Sequence, residues 1–139
     1  ELALKHDLPI IFHVREAFDD FWPIFESYEG IRGVLHSFTD SLSNMEKAIE
    51  KGLYIGVNGI ATFAKDPDQL AVYKAIPLAN LLLETDAPFL APVPHRGKTN
   101  EPKYIPAIAT FLSELRGESV TQIAKSTTNN AKKLFGDLA

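Results

Sequence analysis

The sequence predicts an α/β fold with a parallel β-sheet, and two observations support that prediction. Short apolar runs alternate with segments of helical spacing, which is the pattern of successive βαβ units. The last run, Leu81-Leu82-Leu83, is apolar at every position, as expected for a strand that is buried on both faces. The four predicted strands cover residues 9–14, 33–38, 54–59 and 81–86.

Helical segments separate and follow these strands. Pro23 lies inside the first segment and favours a kink or a late start. The second is the clearest, because Ser41 or Ser43 can cap its start and Gly52 can end it. Asp66 and Pro67 open the third. The predicted helices cover residues 16–28, 41–51, 66–76, 104–115 and 119–134.

The first nine residues read as the end of a helix that leads into the first strand. Because a domain rarely starts within a helix, two architectures stay open. The four βα units are half of an eight-unit barrel, which typically needs about 250 residues. Alternatively, they form a complete four-stranded sheet with two exposed edges.

The composition limits the kinds of metal site and binding surface that the chain can form. The chain has 139 residues, no cysteine, four histidines and 18 acidic residues, and its net charge is −4. Without cysteine, a metal site must use histidine and carboxylate ligands. The negative charge argues against a broadly basic nucleic-acid surface, although local contacts remain possible. No apolar run approaches the roughly 20 residues of a membrane-spanning helix, and no signal peptide is evident, so we expect a cytoplasmic protein.

Three potential metal ligands lie at the carboxyl ends of predicted strands. His13 ends the first strand, His36 the second and Asp86 the fourth. In parallel α/β folds these ends share one rim, where ligands bind. Imidazole nitrogens and carboxylate oxygens are natural ligands of zinc and similar ions. The trio therefore predicts a metal site that activates water, with Asp86 as the first candidate for a catalytic residue.

Other polar residues are predicted near the same rim. The turn-rich segment after the fourth strand contains His95, Arg96 and Lys98; its Arg and Lys could bind phosphate, or the segment is a solvated turn. Arg15 lies two residues after His13, and it too could bind phosphate or be a solvated residue. Asn58 ends the third strand, where it lines the pocket or marks a turn. Glu84 shares the strand face of Asp86 and is expected to have a structural or supporting role.

Together these motifs resemble the C-terminal half of the TatD-type metal-dependent hydrolases, the TatD deoxyribonuclease family. The resemblance covers essentially the whole chain, and its motifs occur in the expected order and spacing. They are Phe12-His13-Val14-Arg15, Gly33-Val34-Leu35-His36-Ser37-Phe38, Tyr54-Ile55-Gly56-Val57-Asn58-Gly59, Leu82-Leu83-Glu84-Thr85-Asp86-Ala87-Pro88, Pro94-His95-Arg96-Gly97, Asn100-Glu101-Pro102 and Thr128-Asn129-Asn130-Ala131.

The resemblance implies strands five to eight of a (β/α)₈ barrel of the TIM type. It implies that His13, His36 and Asp86 bind divalent ions (Zn²⁺, Mg²⁺ or Mn²⁺), and that Asp86 orients or deprotonates the attacking water. Beside these implied roles, we expect substrate contacts by Arg15, Asn58, His95 and Arg96. The implied activity is hydrolysis of DNA phosphodiester bonds.

The sequence departs from the family at its metal ligands. The family's first-strand His-x-His pair and bridging glutamate are absent, and no His-x-His occurs in the chain. We therefore expect a single partial domain, residues 1–139, that is inactive alone and partners the N-terminal half of a barrel. Two alternatives remain: a noncatalytic half-barrel that associates with another chain or itself, and a hydrolase of a small substrate that is not a nucleic acid. Physiological metal and oligomeric state stay open.

Overall fold

The fold consists of a four-stranded sheet flanked by helices, as described by a computed structural model over residues 1–136. The last three residues of the expected domain lie outside this range. In chain order the elements are α1 (Leu2–Lys5), β1 (Ile10–His13), α2 (Phe18–Glu26), β2 (Gly33–His36), α3 (Leu42–Glu50), β3 (Tyr54–Val57), α4 (Pro67–Ala75), β4 (Leu81–Leu83), α5 (Ile105–Arg116) and α6 (Val120–Phe135), with short 3₁₀ turns at Gly59–Phe63, Leu78–Asn80 and Pro102–Tyr104.

The sheet is entirely parallel, and its strands lie side by side in chain order, β1-β2-β3-β4. This order is what consecutive βαβ units produce when each crossover has the same hand. His13 of β1 is in register with His36 of β2. Paired residues of neighbouring strands point to the same face, so the register brings both histidines to one face of the sheet.

The helices begin and end close to the positions that the sequence predicts. Ser41 caps α3, Asp66 caps α4, and Ser119 forms a capping box with Gln122 at the start of α6. These side-chain oxygens satisfy backbone N–H groups that the first turn of a helix leaves free. The 16–28 segment starts late, at Phe18, and contains Pro23 in its interior.

The main core lies between one face of the sheet and the helices that pack against it. Leu35, Leu53, Ile55 and Leu81 are essentially buried there. A smaller apolar cluster covers the opposite face of the sheet, including Val34, Leu82 and Leu134 of α6. The helices thereby fix the sheet, and the carboxyl ends of the strands remain accessible.

The strands are shorter than predicted at their carboxyl ends. The fourth ends at Leu83 rather than 86, and Asp86, with the left-handed φ value of 58°, could not be part of an extended strand. Ser37, just after β2, also has a positive φ, of 53°. The chain turns sharply at both places, and the site residues stand on these turns. Over residues 1–136, no helix is both long and apolar enough to cross a membrane.

Candidate metal centre

His36 is held between two carboxylates. Its Nδ1 lies 2.8 Å from Oε2 of Glu84, and its Nε2 lies 2.8 Å from Oδ1 of Asp86. The hydrogen bond with Glu84 raises the pKa of His36 above its ordinary value; burial opposes this, and the negative charges of Glu84 and Asp86 add to it. Both ring nitrogens are therefore engaged, and the orientation of the imidazole is fixed.

Glu84, which directly follows β4, supports this arrangement. Its second carboxylate oxygen, Oε1, accepts a hydrogen bond from the backbone N–H of Ser37, directly after β2. The backbone N–H of Glu84 donates to the carbonyl of Val57 in β3. The carboxylate thus reaches from the end of β4 across β3 to the end of β2, an arrangement in line with the supporting role expected from the sequence.

Asn58 orients Asp86 from the other side. Its Nδ2 donates to Oδ2 of Asp86 at 3.1 Å and to Oγ of Ser37 at 2.7 Å, and its Oδ1 accepts from the backbone N–H of Ile60. Asn58 is only 3% exposed. Because this side chain is buried and hydrogen-bonded to Asp86, Ser37 and Ile60, the geometry adds no support for the substrate contact that the sequence analysis expects, which stays a prediction.

His13 lies beside this pair without joining it. The ring centroids of His13 and His36 are 5.8 Å apart, and the two planes are tilted by 42°. Within residues 1–136, no three histidine or acidic side chains converge tightly enough to form a complete metal-binding group. The structure therefore brings together two of the three predicted ligands, His36 and Asp86, and places His13 as their neighbour.

An open cleft of about 560 Å³ lies over this rim. His13, Asp86 and Arg15 line it, together with Phe89 and Leu90 from the segment after β4. The Arg15 guanidinium is largely exposed, and its Nε lies 4.0 Å from the equally exposed carboxylate of Glu16. Because this cation is exposed and lines the same cleft as Asp86, it can contact an anionic ligand, so phosphate binding by Arg15 stays a prediction with geometric support.

His95 and Arg96 have other partners. The His95 ring stacks on Tyr104 with centroids 3.9 Å apart, and the Arg96 guanidinium lies 3.8 Å from the ring centre of Phe63. Arg96 also donates to the carbonyl of Ala91. Neither residue lines the cleft. Because these contacts anchor the segment to the body of the protein, the geometry supplies no argument for the predicted substrate contacts.

Gly56 and Phe89 belong to the site, although the sequence analysis does not single them out. Gly56 sits within β3, where a Cβ would collide with the Glu84 carboxylate. A glycine inside an apolar strand is a known signal of close approach, and it could have identified this contact. No comparable signal marks Phe89, because an aromatic residue after a strand is usually buried.

Comparisons with known proteins show which family this chain resembles. The sequence matches the family model described as TatD related DNase over residues 1–136. It is 40% identical over 136 residues to the uncharacterized metal-dependent hydrolase YabD of Bacillus subtilis (strain 168), covering 96% of this chain and 53% of the relative. It is 35% identical over 144 residues to the 3′-5′ ssDNA/RNA exonuclease TatD of Citrobacter rodentium, covering 97% and 54%.

Solved structures of TatD proteins have the same fold as this chain. The crystal structure of YjjV, a TatD homolog from Escherichia coli K12, superposes with a TM-score of 0.87 at 34% identity, covering 96% of this chain and 52% of that one. The chain therefore spans about half the length of the curated relatives that it matches. Its α/β fold with a parallel sheet is of the TIM-barrel type found in these structures. This chain belongs to the TatD related DNase family.

Proposed function

We propose that this chain contributes to the divalent metal centre of a hydrolase that cleaves DNA phosphodiester bonds. The single observation that carries the proposal is His36, fixed with Glu84 on one ring nitrogen and Asp86 on the other. The names of the relatives support it, since one is a metal-dependent hydrolase and another is a 3′-5′ exonuclease for ssDNA and RNA.

The donor atoms fit a divalent cation. Metal-binding histidines usually donate one ring N–H to a carboxylate, which fixes the ring and leaves the other nitrogen for the ion. Glu84 is that carboxylate here, and Nε2 of His36 and Oδ1 of Asp86 are the atoms that would hold the ion. His13 is the nearest further nitrogen ligand. Nitrogen and oxygen donors suit Zn²⁺ and Mn²⁺, and Mg²⁺ would require more oxygen ligands.

When bound, such an ion polarises a phosphate oxygen and lowers the pKa of water. The residues of this chain perform the remaining tasks. The Asp86 carboxylate, which would hold the ion through Oδ1, also orients a water molecule or takes its proton, while Asn58 donates to Oδ2 and keeps the carboxylate in place. Arg15 contacts the phosphate across the cleft.

We also propose that the chain is the C-terminal half of a (β/α)₈ barrel and has no activity alone. Three observations support this proposal. The strands lie in chain order, as in a barrel, and β1 and β4 are the outer strands of the described sheet. Ile11 on β1 is 61% exposed on the face that carries His13, as expected of a side chain that a closed barrel would cover. The relatives are about twice as long.

The activity is tested with the intact protein, meaning the complete barrel of which residues 1–139 are the proposed half. The assay measures hydrolysis of a fluorescently labelled single-stranded oligonucleotide with Mn²⁺ or Mg²⁺. Asp86→Asn should abolish cleavage, because it removes the carboxylate charge from the centre. Asp19→Asn is the matched control, since Asp19 is exposed in the first turn of α2 and should not matter. Residues 1–139 expressed alone should give no measurable cleavage.

Other outcomes identify the alternatives. Equal cleavage by wild type and Asp86→Asn excludes Asp86 as the catalytic acid. Hydrolysis of a small phosphate ester without hydrolysis of DNA identifies the small-substrate alternative. Full activity of residues 1–139 alone contradicts the half-barrel proposal. Failure of the intact protein to hydrolyse any of these substrates favours the noncatalytic association module.

A further inference from the structure

Phe89 is an aromatic side chain that the fold leaves in water. It is 72% exposed, and it lines the same cleft as Asp86 and Arg15. Removing a phenyl ring from water is favourable, so the exposure of Phe89 forgoes a stabilising burial. Single exposed apolar residues are common, and exposure alone would carry no argument. What distinguishes Phe89 is how firmly the protein holds it there.

A buried asparagine clamps the turn that presents Phe89. Asn100 is 2% exposed, and its Nδ2 donates to the carbonyls of Thr85 and Phe89, both at 2.6 Å. Its backbone N–H donates to the carbonyl of Pro88. The backbone N–H of Phe89 in turn donates to the carbonyl of Asp86 at 2.7 Å. These hydrogen bonds therefore fix the backbone of Phe89 relative to Asp86.

The segment beyond Phe89 is anchored as well. The carbonyl of Leu90 lies against Gly59, at a distance that admits no Cβ on that glycine. The N–H of Val93 donates to Oγ1 of Thr62 at 2.9 Å, and Arg96 stacks on Phe63. The segment thus contacts the 3₁₀ turn after β3 at several points, and it leaves the Phe89 ring free above the cleft.

An exposed aromatic ring on a firmly held turn, in one cleft with Asp86 and the exposed Arg15, is suited to a nucleic acid. Stacking of a base on an aromatic ring strengthens binding and tolerates any base, because every base has a flat π face. The ring must be presented ready for contact, because ordering it during binding would reduce that gain. Arg15 in the same cleft provides the positive charge that a neighbouring phosphate requires.

From this geometry we propose that Phe89 is a stacking platform for an unpaired nucleobase next to the phosphodiester bond at Asp86. The inference rests on the proposed function and makes it more specific. A base inside a duplex is already stacked and paired, so the platform selects single-stranded over duplex nucleic acid. Phe89 determines substrate specificity without taking part in the chemistry, and Asn100 positions it.

The test uses the intact protein with Phe89→Trp, which places an indole fluorophore at the platform. The natural Trp22 is buried, and its Nε1 donates to Asn44, so it provides a constant background. In EDTA, a short oligothymidylate should quench the new fluorescence, and a strand of abasic residues of equal length should not. Wild-type fluorescence should change with neither strand.

A binding series with the same two probes completes the test. Phe89→Ala should weaken binding of oligothymidylate about tenfold and leave binding of the abasic strand unchanged. Tyr28→Ala is the control, since Tyr28 is another partly exposed aromatic residue but lies in a different groove, near the amino end of β2. The inference is overturned if Phe89→Ala binds oligothymidylate as wild type does, or loses affinity equally for both strands.

Hydrolysis assays separate this inference from the proposed function. If the intact protein cleaves DNA and Phe89→Ala has an unchanged KM, the activity stands and the platform is wrong. If base-dependent quenching occurs without hydrolysis, the platform stands and the proposed activity is wrong. If the protein neither binds nor cleaves either strand, both are wrong.

Discussion

Gly56 makes room for the carboxylate of Glu84. A Cβ at position 56 would lie 2.5 Å from Oε2 and 2.6 Å from Oε1 of Glu84, well inside van der Waals contact. The same carboxylate faces Nδ1 of His36 and the backbone N–H of Ser37. The absence of a side chain on β3 therefore determines the orientation of a histidine on β2.

Gly56→Ala should damage the site while leaving the fold intact. The atoms that the new methyl group meets belong to the end of a flexible side chain, so Glu84 can move away from His36. Loss of a partner that orients a metal ligand usually reduces metal affinity about 10- to 100-fold. Titration calorimetry with Zn²⁺ and thermal unfolding check both parts. Unchanged affinity would remove Gly56 and Glu84 from the account.

Gly33→Ala is the contrasting variant. At position 33 a Cβ would meet the backbone carbonyl of Ile10, and the ring of Phe12 lies 2.8 Å away. A strand carbonyl cannot move without breaking the pairing of β1 with β2, so this variant should lower the unfolding temperature. A Gly33→Ala protein as stable as Gly56→Ala would contradict this explanation.

Asn58→Asp should separate two functions of Asn58. The new carboxylate can still accept from the N–H of Ile60 and cap the 3₁₀ turn, but it cannot donate to Asp86 and repels its charge. Asn58→Ala removes both contacts and should also lower the free energy of unfolding, by about 1–3 kcal/mol. Denaturant unfolding and hydrolysis rates distinguish the two variants. Equal activity of Asn58→Asp and wild type would show that Asp86 needs no orienting donor.

The sequence predicts the elements of this site better than their contacts. Alternating apolar runs and helical patterns locate all four strands, because local periodicity reflects burial. Strand ends are harder, since the left-handed conformation of Asp86 depends on the turn that Asn100 holds. The partners of Arg96 and His95 are not predictable from local sequence, because Phe63 is brought to Arg96 by the fold.

Asn100→Ala should loosen the turn that carries Phe89. The variant leaves the carbonyls of Thr85 and Phe89 without their donor and should lower the free energy of unfolding by about 1–3 kcal/mol. Amide exchange at Phe89 should accelerate as well. Asn129→Ala is the matched control, because Asn129 is exposed on α6. If both variants exchange at the same rate, the clamp is not formed.

Because the Tyr73 side chain is buried, we expect the protein to lose stability at high pH. Burial raises the pKa of Tyr73 to about 12, above the ordinary value of 10.0. Between these values the unfolded chain loses the proton and the folded protein keeps it, so the free energy of unfolding falls as pH rises from about 10 to 12. Tyr73→Phe should reduce this decline relative to wild type. Denaturant unfolding across that pH range measures it, and an identical slope in both proteins would argue against a buried, neutral Tyr73.

The most direct test of the central claim is Zn²⁺ binding by the intact protein, measured by titration calorimetry for wild type, His36→Gln and His6→Gln. His6 directly follows α1, ahead of the amino end of β1, so its substitution serves as the control. We predict that His36→Gln weakens Zn²⁺ binding at least about tenfold, while His6→Gln binds as wild type does. Equal affinity of wild type and His36→Gln would contradict the claim that His36, held by Glu84 and facing Asp86, is a metal ligand.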